Sequence, residues 1–136
     1  MSEFIWDDRY NIGDSTIDAQ HRRLFELANQ LVEASGNAEI TRLLMLFYQH
    51  VREHFQVEEA VMKQTNYPHY RKHVQSHNRM LDRLVEISEA VRQSHWNPSD
   101  IRIFVQEWVL VHIMDEDMML GEYLKLGNPQ ALDTQL

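Results

Sequence analysis

Cysteine is absent from the 136-residue chain. That excludes disulfides, thiolate zinc sites, iron–sulfur clusters and thioether-linked haem. Glycine and proline are scarce, at four and three. So few turn-formers exclude a turn-rich all-β domain and point to long helices with short links. Basic residues are in deficit, with 13 Lys plus Arg against 21 Asp plus Glu and a formal charge of -8. No basic face is left for nucleic acid, and no polybasic cluster for an anionic membrane. The longest uncharged apolar run is Leu43 to Tyr48, against the roughly 20 residues that a membrane-spanning helix needs. Near the start, Glu3, Asp7 and Asp8 stand where a secretory signal would be apolar. The expectation is a cytoplasmic protein of one domain: an arm over 1–15, a bundle over about 16–126 and a polar tail over 127–136. What is abundant is histidine: eight residues, more than Phe, Tyr or Trp.

Four stretches carry apolar residues at helical spacing. The first runs from about Ile17 to Ala34, with Asp14, Ser15, Thr16 and Asp18 as capping oxygens and Gly36 suited to closing it. The second runs from about Glu39 to Thr65 and ends at Asn66-Tyr67-Pro68. The third runs from about His69 to Ser94, and the fourth from Pro98-Ser99 to about Lys125. Short links make neighbours antiparallel, so the pattern predicts an all-α, up-down-up-down four-helix bundle. Phe4, Ile5, Trp6 and Tyr10 lie outside any helical period and predict an arm packed across it.

Every stripe carries histidine: His21, His54, His73 with His77, and His112. Each buried imidazole needs its own polar partner, and an apolar core offers few. A shared metal satisfies all of them. His54 and Glu58 are one turn apart, as are His73 and His77, so each pair shares a helix face. Imidazole and carboxylate without thiolate suit iron, manganese or zinc. Spacing alone leaves the register open, because His50 lies one turn before His54 and His69 one turn before His73. His95 sits near a helix end and is expected in solvent. The acid of the fourth helix is open as well: Asp115, Glu116 and Asp117 all follow His112. At roughly 100° per residue an ideal helix swings Asp117 about 140° from His112. It favours Asp115 or Glu116.

Three motifs add a resemblance. Trp6…Gly13…Ile17-Asp18-x-Gln20-His21, His54-Phe55-x-x-Glu58-Glu59-x-x-Met62 with Tyr67-Pro68 and His73-x-x-x-His77, and Trp108-x-x-x-His112-Ile113-x-x-x-Asp117 are similar to the three motifs of bacterial hemerythrins. The similarity spans roughly residues 4 to 126. All seven ligand positions of that family have matching residues. The resemblance implies two iron ions, one held by His73, His77 and His112, the other by His21 and His54. Glu58 and Asp117 would bridge both, together with an oxo or hydroxo oxygen. It selects His54 over His50, His73 over His69 and Asp117 over its neighbours. The five-residue step to Asp117 then requires a one-turn π-bulge.

The implied function is reversible dioxygen binding, with no substrate turned over. The iron with two histidines keeps an open position. Leu24, Phe25, Phe55, Trp108 and Val109 are the candidates for a dry pocket on that side, with ordinary core packing the competing reading and, for Phe25 and Val109, at least as good a one. Two other classes compete. A ferritin-like oxidase would show Glu-x-x-His pairs on two helices, whereas this chain has one histidine–carboxylate pair and one histidine pair. A sensor domain, fused to or partnered with a signalling output domain such as a diguanylate cyclase or chemoreceptor, would share the same site.

Overall fold

The computed structural model describes residues 4–126, and of Val109 and Leu110 the backbone alone. The expected polar tail lies outside the described residues, as does the side chain of Val109. The described residues are helical, without strands: a 3-10 turn at Asp8–Tyr10, then α1 (Ser15–Glu33), α2 (Asn37–Gln64), α3 (Tyr70–Arg92) and α4 (Pro98–Gln106). A π-helical stretch, Glu107–Asp117, continues α4 without a break into α5 (Met118–Lys125). The last three form one rod, so the architecture is an antiparallel four-helix bundle. Around it α1 packs on α2, α2 on α3, and α4 closes against both α1 and α3.

Local chemistry sets the helix ends. Asp14 accepts from the backbone N–H groups of Thr16 and Ile17, both at 3.0 Å, and so caps α1. Asn97 caps α4, with Pro98 in the first turn. After α2, Asn66 takes φ +55°, and Tyr67 N–H reaches back to the Met62 carbonyl at 2.9 Å. Ser94 does the same after α3, with φ +58° and His95 N–H on the Ala90 carbonyl at 2.8 Å. Both are left-handed caps built without glycine. Gly36 corrects one expectation: it opens α2 instead of closing α1, and its φ of +89° is the reason glycine stands there.

The arm crosses the bundle as expected through Phe4, Trp6 and Tyr10, whereas Ile5 corrects the expectation: it is 73% exposed. Asn29 clamps it, accepting from Phe4 N–H at 2.8 Å and donating to the Phe4 carbonyl at 2.7 Å. Further on, Asp18 accepts from Ile12 N–H at 2.7 Å. Ile12 then lies against Gly121 of α5, where an added Cβ would meet the Ile12 Cβ at 2.8 Å. The arm needs that glycine to approach so closely.

The apolar core is divided in two. One part holds Leu24, Leu31, Leu44, Phe47, Val51, Leu84, Phe104 and Trp108. The other holds Ile12, Ile17, Met62, Tyr67 and Leu120. On every helix, buried polar residues fall between the two: His21 between Ile17 and Leu24, Glu58 between Phe55 and Met62, Asp117 between Ile113 and Leu120. The bundle therefore seals a polar layer from both ends.

Candidate metal centre

Nine polar or charged residues are buried among the described ones, and seven of them are His21, His54, Glu58, His73, His77, His112 and Asp117. They form two overlapping groups whose ligand atoms lie within 4.8 Å of one another. Glu58, His73, His77, His112 and Asp117 make the first, and His21, His54, Glu58 and Asp117 the second. The two carboxylates belong to both.

Within the first group, His73 Nε2 is 3.0 Å from Asp117 Oδ1. His77 Nε2 is 3.0 Å from Glu58 Oε1, and His112 Nε2 is 2.9 Å from Asp117 Oδ1. Within the second, His21 Nε2 lies 2.9 Å from His54 Nε2 and 2.8 Å from Asp117 Oδ2. Each carboxylate turns one oxygen to each group: Glu58 Oε1 to His77 and Oε2 to His54 at 3.5 Å, Asp117 Oδ1 to His73 and Oδ2 to His21.

Asp117 reaches this position because of the π-helix. The sequence expectation of one widened turn is corrected: the π winding runs over eleven residues, from Glu107 to Asp117. Its i→i+5 bonds stack residues five apart, which brings Asp117 back beneath His112 and Ile113 beneath Trp108. Asp115 is exposed, and Glu116 is half-buried and accepts from Ser76 Oγ at 2.7 Å. The alternative histidines lie elsewhere. His50 is half-buried beside a surface cleft with Gln20, Arg23 and Glu53. His69 and His95 are exposed.

Burial and mutual charge shape the acidities. Burial pushes His54 below its ordinary value, and His21 pushes the same way, outweighing Glu58 and Asp117. For His73 burial acts downward, but the hydrogen bonds and charges of Asp117 and Glu58 outweigh it and raise it to about 9. His112 rises against burial to about 10, chiefly through the charge of Asp117. Burial would raise both carboxylates, and the charge of Asp117 would raise Glu58 further, yet the surrounding histidines hold Glu58 and Asp117 well below the usual range. Tyr67, beneath the cluster, is pushed up to about 12 by burial and the nearby carboxylates.

The residues fit metal ions. Glu58 Oε2, Asp117 Oδ2 and His112 Nε2 are buried without an aligned hydrogen-bond partner. Such atoms are costly unless something else meets them, and all three point into the cluster. His54 and His77 each use the outer ring nitrogen for a hydrogen bond, Nδ1 donating to Gln20 Oε1 and to Glu59 Oε2, both at 2.9 Å. That leaves the Nε2 lone pair facing inward, as a ligating imidazole requires. Five imidazole nitrogens and two bridging carboxylates could hold two adjacent ions, three histidines at one position and two at the other.

The aromatic surroundings are more extensive than the sequence suggests. Phe55 lies flat on His77, with centroids 3.7 Å apart. Trp108 is buried, stacks on His112 at 6.2 Å and turns an edge to His54 at 6.5 Å. Leu24 and Phe25 are buried in α1, and Phe25 packs on Trp6 of the arm at 5.1 Å. Trp6 itself stands 6.4 Å from His21. Sequence reasoning gave no role to Gln20 or Glu59, and gave Trp6 only a place in the arm. All three belong to the quoted motifs, which was the available signal. Helical spacing offered Glu116 as a ligand, but it lies outside the cluster and accepts from Ser76 instead.

Comparison with known proteins agrees with this geometry. The family description "Hemerythrin HHE cation binding domain" matches residues 13–124. The chain is 27% identical to a bacteriohemerythrin of Stenotrophomonas maltophilia, covering 92% of this chain and 84% of that protein. It is 30% identical to a hemerythrin from Sipunculus nudus, covering 84% and 87% respectively. A crystal structure of a hemerythrin point mutant superposes with a TM-score of 0.81 at 23% identity, over 90% of this chain and 97% of that one. With the family description spanning all four helices and the whole buried cluster, the chain belongs to the hemerythrin family.

Proposed function

We propose that this chain is a dioxygen-binding protein with two iron ions, His73, His77 and His112 holding one, His21 and His54 the other, and Glu58 and Asp117 bridging them. The observation that carries this reading is the sharing of both carboxylates between two groups of inward-facing histidines. When bound, a ferrous pair would supply reversible binding of dioxygen.

The chain's own residues determine what such a pair can do. His21 and His54 supply one nitrogen fewer than the group opposite, which keeps their position open to a small molecule. Five neutral imidazoles against two carboxylates leave a first coordination layer poor in negative charge, which favours binding over oxygen activation. Trp6, Leu24, Phe25 and Trp108 exclude water and protons from the side of His21 and His54, and Phe55 does so beside His77. Gln20 and Glu59 hold the rings of His54 and His77 in place through their Nδ1–H groups. Oxygen carriage in the cytoplasm is the reading adopted; a sensor would use the same residues with an added output partner.

The test is anaerobic loading with ferrous ion, metal analysis, and absorption spectroscopy through an oxygen exposure and an inert-gas purge. The expected result is two irons per chain and a visible band that appears with oxygen and disappears on purging. Oxidation in one irreversible step, with no reversible band, overturns oxygen carriage in favour of a redox sensor or an oxidase.

A further inference from the structure

The two histidine groups differ in what stands behind them. His77 Nδ1–H donates to a carboxylate, Glu59 Oε2, at 2.9 Å. His54 Nδ1–H donates to an amide, Gln20 Oε1, at the same distance. The geometry is matched and the charge is not. The first group has a second anion behind it, since Glu116 Oε2 lies 3.8 Å from His112 Nδ1. That is too long for a hydrogen bond but close enough for its charge to be felt. Behind His21 stands the uncharged ring of Trp6.

An anionic acceptor on the outer nitrogen makes an imidazole a stronger donor to its metal, because negative charge is passed through the ring. A neutral amide fixes the same orientation without that charge. We propose that Glu59 is a positioning residue that also sets the order of oxidation: its charge, transmitted through His77, makes the three-histidine position the first to lose an electron, while Gln20 keeps the two-histidine position ferrous at that stage. This inference rests on the di-iron reading above.

One electron leaves the diferrous pair and reduces an added one-electron oxidant, ferricyanide, to ferrocyanide. The iron beside His77 becomes ferric and the iron beside His54 stays ferrous. No bond to the chain is made or broken.

Glu59→Gln and Gln20→Glu separate charge from position, since either side chain presents an oxygen that can accept the Nδ1–H. Both variants and the parent are loaded with iron, their iron counted, and their first oxidation potential measured by spectroelectrochemistry. Mössbauer spectra of the half-oxidised proteins report how unlike the two irons are. Glu59→Gln is expected to raise the first potential by at least one tenfold change in the oxidation equilibrium, about 59 mV for one electron. Gln20→Glu is expected to bring the two irons closer in character. A second readout needs no iron: nitrogen NMR of the metal-free protein should find the His77 Nδ1 proton more strongly hydrogen-bonded in the parent than in Glu59→Gln. Two irons with an unmoved potential in Glu59→Gln, and loss of iron only in Glu59→Ala, would overturn the charge role and leave Glu59 as a mere support. A parent chain that takes up no iron pair defeats the di-iron reading itself, a separate outcome.

Discussion

Phe55 lies on His77 like a lid on a plate, the ring planes 5° from parallel and the centroids 3.7 Å apart. Phe55 also contacts His112 at 5.5 Å and belongs to the larger apolar cluster. One side chain therefore ties the core to the polar layer. Phe55→Ala removes buried volume where the neighbours cannot easily collapse, because Glu59 holds the His77 ring through Nδ1–H. It should cost roughly 3–5 kcal/mol of stability, read from urea unfolding of the metal-free protein. In the iron-loaded protein the same variant should oxidise faster in air, since water gains a path to His77. An unchanged oxidation rate would show that Phe55 only packs.

Metal removal should lower stability without unfolding the bundle. Both apolar clusters flank the polar layer and persist without ions. Binding to the folded state alone adds stability in proportion to saturation. Circular dichroism should therefore show full helix in the metal-free protein and a lower melting temperature. Equal melting temperatures for metal-free and loaded protein would count against a site in the core.

The metal-free protein should also show a pH dependence that the loaded protein lacks. His73 and His112 are raised to about 9 and about 10, so the folded state holds their protons more tightly than the unfolded chain does. The stability they contribute is complete below pH ~6.5, the ordinary histidine value. It shrinks as the pH climbs and is gone above about 10. Glu58 and Asp117 are depressed, so their contribution is present above the ordinary carboxylate range and lost on acidification. His54, held down by burial, adds to the acid-side loss. Urea midpoints of the metal-free protein measured from pH 5 to 10.5 should fall steadily above about 6.5. Bound ions replace those protons, so loading at neutral pH should release protons measurable with an indicator dye. A flat alkaline limb in the metal-free protein would contradict the imidazolium–carboxylate pairing.

The four helices and their order are legible in the sequence because apolar residues recur at helical spacing and Gly36, Pro68 and Pro98 mark the three short links. Histidines on every stripe give the polar layer away for the same reason: spacing places them inward. Asp117 is different. Its place depends on a π winding eleven residues long, and an ideal helical angle points instead to Asp115 or Glu116; only the resemblance to hemerythrins selected it. Gly36 misleads because positive φ serves a helix start as well as a helix end. Gln20 and Glu59 escape because a polar residue next to a histidine looks like any solvated residue until the ring orientation is known. Trp6 comes from the arm, whose path across α1 has no periodic signature.

The register of the histidines gives the most direct test of the site. His54 is fully buried with Nε2 in the cluster, and His50, one turn earlier, is half-buried at a surface cleft. His73 is buried against Asp117, and His69, one turn earlier, is exposed. Each pair offers the same chemistry at two depths. His54→Ala and His73→Ala should each lose iron and the oxygen-dependent band, because an inward nitrogen is removed and nothing nearby can replace it. His50→Ala and His69→Ala should keep two irons and the band, with stability changed by no more than about 0.5 kcal/mol, as for surface substitutions in general. Lost helix in a buried-site variant would confuse folding with ligation, so circular dichroism accompanies each iron count. A folded His54→Ala protein that still holds two irons, or a folded His50→Ala protein that does not, would place the ligand one turn away from where the geometry puts it.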